Sequence, residues 1–305
     1  MSLRRLCPAV LAVLLAFLGG CGDGDGDSGE GSNGATLRIS AIPDQDPAEL
    51  TAREESLADL LSEELDVEVE YVPVTDYAAS VSLFRAGDLD MVFYGGLTGV
   101  QARLQTPGAT LLAQRDIDPE FRSVFIANAD AGIDPVDDVE DLTVFEGRRF
   151  TFGSESSTSG RLMPEYFLEE AGVDSAEEFE GRPGYSGSHD TTIDLVEAGS
   201  YEGGVLNIQV WEARKAAGTV DLDQVVEVFT TPTYSDYHWL AGPEVDERLG
   251  DGFTDELREA LLAIDGSTPE EKDLLEKYGA GALVPADVDS YDRIEEIGRK
   301  LGLVS

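Results

Sequence analysis

Residues 77–96 read YAASVSLFRAGDLDMVFYGG, and this stretch decides the fold. Residues 77–85 carry apolar side chains at helical spacing, and Gly87 ends the predicted helix. Residues 89–94 form a short apolar run typical of a buried strand, and the glycine pair at 95–96 leads into another helix. A helix, a buried strand and a second helix in succession indicate a parallel sheet with helices on both faces.

The same alternation extends from this stretch in both directions. Strands are predicted before it at 36–42 and 67–74, with a helix between them. The predicted elements after it are strands at 109–114, 124–127, 149–153, 205–207 and 225–229, and helices that begin near Ser159, His189 and Ile208. From residue 253 onward the apolar spacing is mostly helical. This order predicts an α/β protein with two lobes, of which the first is completed by the C-terminal helices, and a ligand cleft between them.

The N-terminal segment has the parts of a secretory signal peptide. Two arginines precede an apolar run, and small residues lead to Cys21 in an ending, Leu-Gly-Gly-Cys, that is similar to a lipobox. The only other cysteine, Cys7, lies in the segment that would be removed. We predict a signal peptide at 1–21, lipidation of Cys21 and a flexible acidic, glycine-rich tether at 22–35. An ordinary signal peptide or an uncleaved anchor is the alternative.

The charge of the chain is extremely negative. There are 62 acidic against 21 basic residues, and removal of Arg4 and Arg5 with the signal peptide takes the formal net charge from −41 to −43. Nucleic acids and anionic membrane surfaces are therefore poor partners for this chain, and we predict that it binds no nucleic acid. Such a surface indicates either solubility at high salt, where screening shortens the reach of self-repulsion, or simply an acidic, arginine-rich proteome.

The sequence lacks the common motifs of catalytic sites. Its two histidines, His189 and His238, are not accompanied by a Gly-x-Ser-x-Gly nucleophile turn between a strand and a helix. It contains no His-Glu-x-x-His zinc motif, no cysteine pair in the folded body and no phosphate-binding or dinucleotide-binding glycine motif. We therefore predict no catalytic residue, no metal and no cofactor, and a protein that binds a small solute.

A run of hydroxyl-bearing residues suggests where that solute binds. Residues 153–160, Gly-Ser-Glu-Ser-Ser-Thr-Ser-Gly, lie between a predicted strand and a predicted helix. The start of a helix has free backbone N–H groups and a positive dipole, and Ser157, Thr158 and Ser159 add hydroxyl donors there. These residues are predicted to bind an anion, the alternative being a plain helix cap.

A second segment, residues 184–190, has a similar form and places His189 at the start of a helix. The helix dipole disfavours a charged histidine there, and a bound anion would reverse that preference, whereas a neutral, locally packed histidine is the alternative. Tyr77 and Tyr94 stand at strand and helix junctions where ligands of α/β sheets collect. Both can donate a hydrogen bond to an anion, although a packing role is the alternative for each.

These motifs together resemble the phosphonate- and phosphite-type substrate-binding proteins of ABC importers, over nearly the whole body from residue 37 to about 291. Three further segments make the chain most similar to the branch of that family described as selenate-binding. The family motifs are Val-Thr-Asp-Tyr-Ala at 74–78, Phe-Arg-Ala-Gly-Asp-Leu-Asp at 84–90 before Tyr-Gly-Gly, Ser-Thr-Ser-Gly at 157–160 with Pro164, and Ser-Gly-Ser-His-Asp at 186–190, and the branch segments are 95–104, 113–118 and 123–128.

The resemblance implies a type II periplasmic-binding-protein fold with two α/β lobes joined by a two-segment hinge. The implied first lobe comprises 36–122 plus 236–305 and the second lobe 123–235, with the crossings near 123–128 and 231–238. The ligand would be a small tetrahedral oxyanion held between the lobes. The implied ligand-binding residues are Tyr77, Tyr94, Ser157, Thr158, Ser159, His189 and Asn207.

Asn207 departs from the family pattern, since phosphonate binders commonly have an acidic residue at its position. An aminoalkyl substituent would lose its carboxylate partner here, which favours a smaller, unsubstituted oxyanion. Phosphite, phosphate, methylphosphonate, sulfate and selenate remain open, because all present similar oxygens. A ligand with a P–OH group would need an acceptor, for which Asp44, Asp76 and Asn207 are candidates.

The resemblance also implies partners and a location. The protein would be a monomer, held outside the cytoplasmic membrane by the lipid on Cys21, that delivers its ligand to an ABC permease and its ATPase. One alternative is an extracellular sensor that works with a separate signalling partner. Another is a two-domain phosphatase or transferase that uses His189 as an acid or base.

Overall fold

The computed structural model describes residues 35–304, which belong to one compact unit. The predicted signal peptide, Cys21 and residues 22–34 of the predicted tether lie outside the described residues. None of the helices within 35–304 is both long enough and apolar enough to cross a membrane.

The first of two five-stranded sheets is built from the two ends of the described chain. Its strands are β1 Leu37–Ala41, β2 Val69–Tyr71, β3 Met91–Tyr94, β4 Thr110–Leu111 and β11 His238–Ala241. They are arranged in the order β2-β1-β3-β11-β4. β1 pairs parallel with β2 and β3, whereas β11 runs antiparallel to β3 and β4.

The second sheet is built from the middle of the chain. Its strands are β6 Ser123–Asn128, β7 Phe150–Phe152, β8 Gly184–Tyr185, β9 Gly203–Asn207 and β10 Val225–Thr230, arranged in the order β10-β6-β9-β7-β8. β7 is parallel to β8 and β9, and β6 is antiparallel to β9 and β10. A third, two-stranded antiparallel sheet joins β5 Ala113–Arg115 to β12 Leu283–Pro285.

Helices connect most of these strands. A π-helical turn, Thr158–Leu162, runs directly into α4. The α-helices are α1 Pro47–Leu65, α2 Tyr77–Arg85, α3 Gly96–Gln105, α4 Met163–Glu170, α5 His189–Glu197, α6 Ile208–Ala217, α7 Val245–Leu249, α8 Phe253–Ala263, α9 Pro269–Tyr278 and α10 Asp292–Lys300. The prediction of a mixed α/β fold is confirmed, but the prediction of parallel sheets is only partly right.

The antiparallel strands follow from the two crossings between the lobes. A strand that enters a sheet from the other lobe, as β6 and β11 do, meets its neighbours from the opposite end. The crossing segments lie side by side where Phe121 and Tyr234 exchange backbone hydrogen bonds of 2.9 and 3.0 Å. Residues 123–128, near which the first crossing was predicted, form β6 of the second sheet, directly after Phe121.

The strands of the first sheet fall within 36–122 and 236–305, and those of the second within 123–235. The boundaries of the two lobes themselves stay a prediction. Buried aliphatic and aromatic side chains fill the space between sheets and helices. Burial of this apolar area is the main favourable contribution to folding.

Candidate functional site

Three helix starts meet where the two lobes touch. α3 begins after β3 of the first sheet, while the π-helical turn and α5 begin after β7 and β8 of the second sheet. The backbone N–H of Leu97 donates to Thr158 Oγ1 over 2.9 Å, which ties the start of α3 to the start of the π-helical turn. Each helix start contributes the positive end of a helix dipole, so this region favours negative charge.

Glycine at position 95 allows the close approach of these elements. A Cβ atom on Gly95 would lie 3.2 Å from both Asp236 Oδ1 and Thr158 Oγ1. A Cβ atom on Gly160 would lie only 2.9 Å from Ser157 Oγ and 3.2 Å from the His189 ring. Larger residues at these positions would push the polar groups of the site apart.

The hydroxyl run lies where the sequence predicted it, at a helix start. Ser157 caps the π-helical turn through a hydrogen bond of 2.9 Å from the Gly160 N–H to its Oγ. Ser159 is buried, its carbonyl accepts from Ser123 Oγ over 2.7 Å, and its own Oγ has no partner. Ser157 is thus used as a cap, and Ser159 keeps a free hydroxyl.

His189 is completely buried and held in one orientation. The backbone N–H of Asn207 donates to His189 Nδ1 over 3.3 Å. The backbone N–H of His189 donates to the backbone carbonyl of Asp44 over 2.8 Å. Because Nδ1 accepts, the ring proton lies on Nε2, which has no partner. Burial lowers the pKa of His189, so the ring is neutral and offers one N–H donor.

Tyr77 begins α2 and is buried beside the Ser157 side chain. Burial, reinforced by the nearby Asp44 carboxylate, raises its pKa well above the ordinary value, so the phenol keeps its proton. Its hydroxyl oxygen makes no hydrogen bond within the described residues. Asp76, in contrast, caps α2 by accepting from the Ala79 N–H over 2.8 Å.

Asp236 is the site residue that the sequence interpretation missed. It lies on the second crossing segment, and its Oδ1 accepts from the Gly96 N–H over 2.9 Å while Oδ2 has no partner. Burial raises the pKa of Asp236 to about 7, although the Gly96 N–H and the Thr158 hydroxyl act in the opposite direction. Its position within the predicted crossing at 231–238, in the segment Tyr-Ser-Asp-Tyr at 234–237, was the one indication in the sequence.

Four buried polar atoms of this region therefore lack a partner within residues 35–304. Three of them are donors and one is a carboxylate oxygen. They are Tyr77 Oη, Ser159 Oγ, His189 Nε2 and Asp236 Oδ2. Buried polar groups are nearly always hydrogen-bonded in native proteins, so such a group of them indicates a ligand with several oxygens.

Two predicted site residues are placed differently. Both polar atoms of the Asn207 side chain are hydrogen-bonded to the protein. Oδ1 accepts from the backbone N–H groups of Gln209 and Val210, and Nδ2 donates to Tyr237 Oη. Tyr94 packs edge-on against Phe84, and its buried hydroxyl lies near Ser80 but makes no hydrogen bond within residues 35–304. The ligand-binding roles of both residues stay predictions.

Within residues 35–304, no three histidine, cysteine, aspartate or glutamate side chains are grouped so that they could hold a metal ion. Two lobes around a buried set of polar groups define a solute-binding protein of the periplasmic type.

A family model described as "ABC transporter, phosphonate, periplasmic substrate-binding protein" matches residues 39–291. The chain belongs to this family, which confirms the family, the fold class and the transport role expected from the sequence.

Named relatives of the chain support the same family assignment. The chain is 46% identical to the probable ABC transporter phosphite-binding protein PhnD1 of Prochlorococcus marinus (strain MIT 9301), over 90% of this chain and 92% of that protein. The solved structure of PhnD1 in complex with methylphosphonate superposes with a TM-score of 0.87 and covers 89% of this chain and all of that chain. The chain is also 25% identical to the phosphate-import protein PhnD of Mycolicibacterium smegmatis, over 86% of this chain and 84% of that protein. None of these three is named for selenate, so that part of the resemblance stays a prediction.

Proposed function

We propose that this protein captures a small phosphorus oxyanion, of the size of phosphite or methylphosphonate, outside the cytoplasmic membrane and delivers it to an ABC permease. The observation that carries the proposal is the set of four unpartnered buried atoms on Tyr77, Ser159, His189 and Asp236. Three donors suit the oxygens of a tetrahedral anion, and the carboxylate suits a P–OH group. The names of the Prochlorococcus relative and of its methylphosphonate complex support the same ligand class.

Asp236 takes the place of the acceptors that the sequence suggested. Asp44 accepts from Tyr237 Oη over 2.7 Å, and the side chains of Asp76 and Asn207 cap helices. A carboxyl group with a pKa of about 7 can share one proton with a ligand oxygen, either by accepting from P–OH or by donating to a fully ionised oxygen. The absence of a positively charged side chain among these four groups means that capture depends on short-range hydrogen bonds, which salt screens little.

The direct test is isothermal titration calorimetry of the purified protein with phosphite, methylphosphonate, phosphate, sulfate and selenate. We expect the first two to bind most tightly. Equal or tighter binding of sulfate or selenate, or no heat with any phosphorus oxyanion, would overturn the proposal.

The affinity should depend on pH through Asp236. The complex retains one proton between Asp236 and the ligand, whereas the free carboxyl loses its proton as pH rises above about 7. For a fully ionised ligand such as sulfate, affinity is therefore greatest below pH 7 and falls about tenfold per pH unit above it. Asp236→Asn should remove this slope, because the amide does not titrate. A slope that is unchanged in the variant would show that another group titrates.

We also propose that the protein is a lipoprotein anchored through Cys21, with the tether at 22–35 between the lipid and the folded body. The small residues before Cys21 and the lack of a thiol partner in the body support this proposal. Cys21→Ser should move the protein from the membrane fraction to the medium or periplasmic fraction of expressing cells. Mass spectrometry of the wild-type N-terminal peptide should find a diacylglyceryl group, and an unmodified, membrane-free wild type would contradict the anchor.

We propose that the protein is a monomer with one lobe at 36–122 plus 236–305 and the other at 123–235. It binds and releases its ligand without catalysing a reaction. The distribution of the strands between the two sheets supports this division. His189 is fixed by two backbone contacts, and among residues 35–304 no serine or cysteine side chain is hydrogen-bonded to its ring, which supports the role of a donor.

A further inference from the structure

The carbonyl of Ser159 lies in a helical turn that cannot supply it with a hydrogen-bond donor. In a π-helical turn, a backbone N–H donates to the carbonyl five residues earlier, as the Met163 N–H does to the Thr158 carbonyl. In the same pattern, the donor for the Ser159 carbonyl would be the N–H of residue 164. Residue 164 is a proline, which has no N–H. The Ser159 carbonyl therefore needs a donor from outside its own helix.

A side chain from the start of β6 takes the place of the missing N–H. Ser123 Oγ donates to the Ser159 carbonyl over 2.7 Å and lies 2.6 Å from Tyr234 Oη. The Ser123 hydroxyl has one proton, which is used on the carbonyl, so Tyr234 is the donor in the second bond. Burial raises the pKa of Tyr234 well above its ordinary value, and the phenol keeps the proton that it donates. All three residues are at most 5% exposed, so water does not compete for these bonds.

These two hydrogen bonds connect the crossing segments with the proposed site. Tyr234 lies on the second crossing segment, where it pairs with Phe121 of the first. Ser123 follows the first crossing segment directly. Ser159, at the other end, carries one of the four unpartnered polar atoms. Residues beside the crossings thus hold the backbone of a residue whose hydroxyl is free for a ligand.

The alternative form of this turn is an ordinary α-helical one. In that form the Met163 N–H would donate to the carbonyl four residues earlier, which is that of Ser159, and Ser123 would not be needed. The change removes an offset of one residue, which corresponds to a rotation of about 100° around the helix axis. The Ser159 hydroxyl would then lose its present direction. The donor from Ser123 favours the π-helical form, because only that form leaves the Ser159 carbonyl available to it.

We propose that Ser123, oriented by Tyr234, positions the Ser159 hydroxyl for the oxyanion by holding this turn in its π-helical form. The inference rests on the proposed function and adds two positioning residues to its site. Ser123 and Tyr234 use their hydroxyl groups on each other and on the Ser159 carbonyl. They therefore act on the ligand through Ser159.

The test is a double-mutant cycle, measured by calorimetry with phosphite. We expect Ser123→Ala and Ser159→Ala each to weaken binding by about tenfold. Because Ser123 acts through Ser159, the double variant should bind within about threefold of the weaker single variant. Two independent contributions would instead multiply to about a hundredfold. A general loss of stability does not produce this non-additivity in folded protein, and thermal denaturation shows that each variant is folded.

Ser40→Ala is the matched control. Ser40 is 2% exposed, and its Oγ donates to the Val72 carbonyl over 2.7 Å. This variant therefore loses a buried serine-to-carbonyl hydrogen bond of the same length, but from β1 of the first sheet. Its affinity for phosphite should stay within about twofold of the wild-type value.

Tyr234→Phe is a second variant that keeps the inference testable if Ser123→Ala is poorly folded. It retains the buried ring and removes only the hydroxyl that orients Ser123. We expect it to weaken phosphite binding by about threefold or more in the wild-type background. In the Ser159→Ala background the same change should have almost no effect.

The outcomes separate this inference from the proposed function. If the wild type binds neither phosphite nor methylphosphonate, the proposed function is wrong. If the wild type binds phosphite but folded Ser123→Ala binds it equally well, the proposed function stands and the positioning role is wrong. Additive losses in the cycle, wild-type affinity in Ser159→Ala, or an equal loss in Ser40→Ala would also overturn the positioning role alone.

Discussion

Replacing Arg115 with methionine is expected to lower the free energy of unfolding by about 3–5 kcal/mol. The guanidinium group of Arg115 is buried and contacts both carboxylate oxygens of Asp118, with the shortest N–O distance 2.6 Å. It also stacks on the ring of Tyr237, with 4.6 Å from its central carbon to the ring centroid, and donates to the Tyr278 carbonyl. Methionine fills much of the same volume but leaves the buried Asp118 carboxylate without its cation.

Urea unfolding of both proteins at one fixed salt concentration measures this effect. Arg258→Met is the matched control, since Arg258 pairs with Asp255, whose side chain is 76% exposed. Exposed ion pairs contribute at most about 1 kcal/mol, so the control should unfold almost like the wild type. A loss below about 1 kcal/mol in Arg115→Met would mean that the backbone N–H donors of Asp118 are sufficient for the carboxylate.

The second large effect is expected on ligand binding. His189→Ala should weaken the binding of phosphite or methylphosphonate by about tenfold or more, which corresponds to one lost charge-assisted hydrogen bond, and Thr158→Val should weaken it to a similar extent. His189→Ala removes the Nε2 donor, whose neutral state is fixed by burial and by the contact from Asn207. Thr158→Val removes the acceptor for the Leu97 N–H and so loosens the contact between two helix starts.

Calorimetry checks both variants, and thermal denaturation shows whether they are folded. Thr192→Val is the matched control, because Thr192 is also fully buried and its hydroxyl bonds locally to Ser186 and to the Ser188 carbonyl. We expect this control to bind nearly as the wild type does. Wild-type affinity in folded His189→Ala and Thr158→Val would show that the anion lies elsewhere.

The sequence predicted the fold well wherever the apolar spacing was regular. Residues 77–85 form α2 as predicted, and the run at 89–94 contains β3. β11, His238–Ala241, was missed although it is paired on both sides in the first sheet. It follows a polar crossing and has only four residues, too few for its spacing to separate a strand from a loop.

The site was predicted less completely than the fold. The hydroxyl run and His189 carry local signatures, because helix starts favour such residues. Asp236 has no such signature, since its burial and its contact with the Gly96 N–H arise from a chain separation of 140 residues. Asn207 caps α6 locally, but its hydrogen bond to Tyr237 joins residues that are 30 apart in the sequence and has no local signature either.

The four unpartnered groups of the site couple loading to the shape of the protein. If the lobes met without an oxyanion between them, each group would lose its water without gaining a partner, at a cost of about 1–3 kcal/mol. We therefore expect the unloaded protein to favour an open form, in which water reaches these groups. A permease that recognises the closed form would then hydrolyse ATP mainly when a loaded binding protein docks on it. The cost of removing water from a few buried atoms would thus limit ATP hydrolysis without transport.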